Sequence, residues 1–150
     1  MTTPPSDVET ADRLSRRRSR MLPALAVLFL SGQAIYALGP DDPTRTVDQL
    51  KVAAWLLWAV ALLLLLATGG SLFRSRKVRA LMEDESTRAN RARAYAAGFW
   101  IAVSTAIGIY VLTAFDEVKP REALHIVVTA AIAGALISFG LLERRAHRDG

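Results

Sequence analysis

Residues 52–73 constrain the fold more than any other part of this chain. The stretch reads VAAWLLWAVALLLLLATGGSLF, has no charged side chain and lies between Lys51 and Arg74. At ~1.5 Å rise per residue, a helix of this length crosses a hydrocarbon core of ~30 Å. A helix on a soluble domain carries a polar stripe, and this stretch has none. Three further stretches lack charge: 21–40, 94–115 and 123–142. Each is about as long as a bilayer is thick. The predicted fold is all-α and polytopic, with transmembrane helices over about 21–38, 52–72, 95–115 and 122–142. The four spans are expected to form two antiparallel hairpins. In 150 residues they leave no room for a second folded domain. The chain has no cysteine, which excludes disulfides and thiolate chemistry.

The net charge of +5 is unevenly distributed. Fifteen of the nineteen Lys and Arg residues fall in three segments: the tail 1–20, the loop 74–94 and the tail 143–150. The two alternate loops hold only Arg45, Lys51, Lys119 and Arg121. By the positive-inside rule, both termini and the middle loop are expected in the cytoplasm. Topology accounts for the basic residues, so no nucleic-acid partner is expected. The lipid bilayer is the first expected partner, with anionic lipids at its cytoplasmic face.

The tail 1–20 is predicted to be disordered at its start, with RLSRRRSR at 13–20 as a basic anchor. The apolar run after it exceeds a usual signal-peptide core, and no A-x-A site ends it. An uncleaved first span is therefore expected. Gln33 is the only long polar side chain within the four stretches and a candidate intramembrane contact. An interhelical hydrogen bond of ~0.6 kcal/mol is its simplest role. Thr46-Val47-Asp48-Gln49 reads as a capping box that starts the second helix before the lipid. Trp55 and Trp58 fit an aromatic belt at the outer interface.

Helix packing is expected where small residues recur every fourth position. In the third span these are Gly98, Ala102 and Ala106, with Ser104 and Gly108; in the fourth, Ala130, Gly134 and Ser138. Such residues let helix backbones approach closely. Pro120 suits the first turn of the fourth helix, and Glu122 complements its dipole.

The middle loop RSRKVRALMEDESTRANRAR places an acidic tip, Glu83-Asp84-Glu85, between basic flanks. Asp84 and Arg88 form an i, i+4 acid-to-base pair. Glu83, Asp84, Glu85, Arg88 and Arg91 are the candidate partner-binding residues. The run Asp84-Glu85-Ser86-Thr87-Arg88, followed by Ala94 and the aromatic, Gly-containing segment 95–100, resembles the D-E-x-T-type loop of small uncharacterised bacterial four-helix inner-membrane proteins. The resemblance covers about a tenth of the chain. It implies a bacterial inner-membrane setting and supplies no activity.

The sequence offers no zinc spacing, nucleophile–base pair or phosphate-binding glycine loop. The acids Asp41, Asp42, Asp116 and Glu117 read as a solvated outer face, and His125 as an interfacial side chain. No catalytic residue, metal or cofactor is expected. No acid lies within the four stretches, which ranks transport second. The expected function is that of a non-catalytic integral membrane protein. It would act as scaffold, accessory subunit or regulator through a protein partner. The alternative is a small transporter or channel subunit working as a homo-oligomer.

Overall fold

The structure, a computed structural model, describes residues 7–38, 45–69 and 85–149. Regular structure among the described residues is entirely helical: α1 (Asp7–Leu38), α2 (Arg45–Thr68), α3 (Glu85–Leu112) and α4 (Pro120–Asp149). Local chemistry sets several ends. α2 closes on Gly69, whose φ of 58° is the left-handed conformation that glycine adopts without steric cost. α3 tightens at its end, where Thr113 Oγ1 donates to Tyr110 O at 2.6 Å and Phe115 N donates to Leu112 O at 2.9 Å. α4 begins on Pro120, which needs no donor there, and Glu122 lies in its first turn.

Among the described residues, three helices contain segments long and apolar enough to cross a membrane: Gln49–Thr68, Glu85–Leu112 and Pro120–Ala146. The chain is thus all-helical in its described residues, with three helices that could cross a membrane, consistent with a multi-pass membrane protein. α1 is not among them.

α1 also differs from expectation at its start. The predicted disordered tail is helical from Asp7 onward. Once the apolar half is seated, each further helical residue adds a hydrogen bond without a new nucleation cost. α2 already begins at Arg45, one residue before the predicted capping threonine. α3 begins at Glu85, so the last ten residues of the predicted loop 74–94 are its first turns. Glu83 and Asp84 of the acidic tip lie outside the described residues.

α4 is the central helix. It packs extensively on α3 and on α1, and touches α2 at fewer places. Glycines explain the difference. A Cβ on Gly134 would lie 2.2 Å from Ile101 Cδ1, and one on Gly98 would lie 3.0 Å from Ala131 O and Ala135 Cβ. A Cβ on Gly140 would lie 2.5 Å from the Pro23 ring. α2 instead brings Leu62 and Leu66 to the core, and these hold its backbone further off. The remaining core is Leu22, Ala26 and Phe29 of α1, Ala59 of α2, Ala94 of α3, and Ile132, Ala133, Ala135, Leu136 and Phe139 of α4.

Candidate functional site

Two polar clusters tie the helices together, one at each end of the bundle. The first begins in the arginine run of α1. Arg18 shares a ridge with Leu22, Ala26 and Phe29 at helical spacing, all of them buried. The side chain of Arg18 therefore turns inward, while Arg16, Arg17 and Arg20 are exposed. On α4 the buried ridge Ile132, Leu136 and Phe139 continues one turn on to Glu143. Arg18 and Glu143 meet as an ion pair with side chains only 6% and 2% exposed.

The same guanidinium reaches the other two helices. Arg18 Nη1 donates to Gly69 O at 3.2 Å, at the end of α2. Arg18 Nη2 donates to Thr87 Oγ1 at 3.4 Å, in the first turn of α3. The guanidinium carbon lies 5.3 Å from the centroid of the Phe139 ring, within cation–π range. Arg91 Nη1 donates to Ala67 O at 2.7 Å, so two arginines face the carbonyl end of α2. That end carries partial negative charge, which favours cations. Gly69 leaves room for them, since a Cβ there would lie 2.8 Å from Arg18 Nη1 and 3.4 Å from Arg91 Nη2. Arg144 Nε donates to Ser19 O at 3.1 Å, a second bond between α1 and α4. A lone buried charge is strongly unfavourable, so each member of the ion pair depends on the other.

The second cluster joins α1, α2 and α4 at the opposite end. His125 Nε2 and Gln33 Oε1 are 2.6 Å apart. Trp55 stacks on His125 with centroids 4.6 Å apart and an interplanar angle of 27°. Its Nε1 donates to Thr129 Oγ1 at 3.2 Å. Gln33 thus makes an interhelical contact, and its partner is the histidine read from sequence as interfacial. Trp55 is a packing residue as well as an aromatic one, whereas Trp58 is exposed.

The other predicted residues separate. Glu85 and Arg88 are exposed. Arg91 is half-buried and bonded to α2. Gly98 and Gly134 lie at close helix contacts, and Ala102, Ala130 and Ser138 are half-buried. Ser104, Ala106 and Gly108 are exposed, and a Cβ on Gly108 would meet nothing within 4 Å. Asp116 and Glu117 are exposed, and Asp116 Oδ1 accepts from Glu117 N at 2.8 Å. Asp41 and Asp42 lie outside the described residues.

Sequence reasoning missed Arg18 and Glu143. Glu143 follows the apolar stretch 123–142 directly and reads as the first tail residue. Its spacing of four from Phe139 was the available signal. Comparison with protein-family models, with curated proteins and with solved structures yields no match.

Proposed function

We propose that this chain is a non-catalytic four-span protein of the bacterial inner membrane, acting as scaffold, accessory subunit or regulator through a protein partner. Both termini and the segment 74–94 are cytoplasmic in this reading. α1 crosses the membrane through its eighteen uncharged residues 21–38, packed on α4. α3 and α4 form one antiparallel hairpin, and α1 and α2 form the other around the same central helix.

Arg18 carries the reading. One buried guanidinium bonds to α2, α3 and α4 together, so the polar interior near the arginine-rich end builds architecture. Surface is left for a partner at the start of α3, where Glu85, Ser86 and Arg88 are exposed. One observation favours the oligomeric transporter or channel reading instead. Glu143 is a buried acid within the span candidate Pro120–Ala146, and acids in such positions mark ion pathways in many membrane proteins.

Affinity capture in mild detergent tests both readings. Wild type is compared with the triple variant Glu83→Lys, Asp84→Lys, Glu85→Lys at matched membrane levels. The scaffold reading expects a distinct partner protein with wild type that the variant loses. Recovery of untagged copies of this chain alone, unchanged in the variant, would support the oligomer instead.

A further inference from the structure

α2 is held differently at its two ends. Its buried side chains, Ala59, Leu62 and Leu66, all lie in its second half. None of residues 49–58 is buried, and of these Trp55 packs against the core. α2 packs on α4 at few places, and its leucines keep the two backbones apart. The last turn, by contrast, is gripped from two sides. Arg18 of α1 donates to Gly69 O at 3.2 Å, and Arg91 of α3 donates to Ala67 O at 2.7 Å. Both bonds are charge-assisted, which makes them stronger than neutral ones, and they meet the carbonyl end of the helix, where a cation is favoured.

The attachment at Trp55 is neutral. Its indole N–H donates to Thr129 Oγ1 at 3.2 Å, and its ring lies on His125 with centroids 4.6 Å apart. Neutral polar bonds between membrane helices are weak, because a displaced group finds other partners. Gly69 follows the last turn of α2 with a φ of 58°, which glycine holds without steric cost. Hinges are built from such residues at the ends of elements. Trp55 is fourteen residues from Gly69, a distance of about 21 Å along a helix. A tilt of about 15°, inside the range of membrane helices, moves that end by about 5 Å.

We infer that α2 is a hinged helix, which pivots on its arginine-held last turn and swings its Trp55 end away from α4. What the swing uncovers is polar. Gln33 of α1, with His125 and Thr129 of α4, meet where the indole lies. Thr129 is buried in the closed arrangement. His125 and Thr129 belong to the span candidate Pro120–Ala146. Trp55 is thus the latch of a lateral opening onto hydrogen-bonding side chains within the bundle. The device works in either membrane orientation and needs no partner protein.

The chain has no cysteine, so spin labels can be placed in pairs at exposed positions. Leu57→Cys with Leu124→Cys spans the latch, Ala67→Cys with Leu141→Cys the pivot, and Ile107→Cys with Leu124→Cys the close α3–α4 contact. Electron–electron dipolar spectroscopy on the full chain in lipid nanodiscs reads each distance distribution. The latch pair should show two distances, the longer by about 5 Å, and the other pairs one each. Thr129→Val removes the acceptor and keeps the side-chain shape; Trp55→Phe removes the donor and keeps a ring on His125. Each should raise the longer latch population about two- to threefold, the effect of one such bond. A second latch distance seen only in the variants also supports the hinge, with the latch closed in wild type. One narrow latch distance in wild type and both variants overturns it. Equal broadening at latch and pivot overturns it too, since α2 would then leave as a whole, and so does equal broadening of the α3–α4 pair, which would mark a loose bundle. Two latch distances whose populations neither variant changes overturn Trp55 as the latch. If Trp55→Phe does not fold, wild type and Thr129→Val decide.

Discussion

Removing either charge of the Arg18–Glu143 pair leaves the other buried without a counter-charge, at a cost of about 3–5 kcal/mol. Arg18→Gln and Glu143→Gln should each lower the melting temperature in detergent markedly. Arg17→Gln, one residue away but exposed, should leave it nearly unchanged. The exchange Arg18→Glu with Glu143→Arg restores the pair but not the bonds to Gly69 O and Thr87. It should recover part of the loss. An exchange no more stable than the worse single variant would show that geometry rather than charge pairing holds the junction. Residue type alone could not have singled out Arg18 from Arg16, Arg17 and Arg20. Its distinction is helical phase relative to Leu22, Ala26 and Phe29. That phase has meaning only once α1 is known to run unbroken from Asp7. Gln33 was legible because a long amide in an apolar run has few alternatives to an interhelical bond.

Among elements, the difference lies in how closely each helix approaches α4. Small residues at spacing four fill α3 and α4, so the pattern alone marked both real contacts and open faces. Gly98 and Gly134 are at contacts, while Gly108 faces open space. Gly140, which seats Pro23 of α1, belongs to no stripe read from sequence. Gly134→Leu and Gly140→Leu should each destabilise strongly, because a large side chain forces the backbones apart. Overpacking of this kind typically costs about 1–3 kcal/mol. Gly108→Leu and Leu64→Ala change exposed positions and should lie within about 0.5 kcal/mol of wild type. Thermal unfolding of the four variants in one detergent decides the matter. Comparable losses at Gly108 and Gly134 would mean that the α3 contact is not the one described. Helix existence was legible from apolar length, and α4 as the hub was not. Hub position depends on which glycines face a neighbour, and that is a property of the assembled bundle.

For the molecule as a whole, the two polar clusters define two ends. Arg18, Gly69, Thr87 and Glu143 share one end; Gln33, Trp55 and His125 share the other. The start of α1, the end of α2, the start of α3 and the end of α4 therefore lie together. Which end faces the cytoplasm is a separate matter, and the argument for it is the fifteen-to-four bias in basic residues. The chain has no cysteine, so single substitutions can report side without background. Thr44→Cys and Val118→Cys should label with a membrane-impermeant maleimide added to the periplasmic face. Ser86→Cys and Asp149→Cys should label only after the membrane is opened. Two kinds of failure carry different meanings. Labelling of Ser86→Cys and Asp149→Cys from the periplasm, with the other two protected, would invert the orientation and leave the bundle intact. Labelling of Ser86→Cys and Asp149→Cys from opposite sides would separate Thr87 from Glu143 across the membrane. Arg18 could not then bridge them, and the four-helix junction itself would fall.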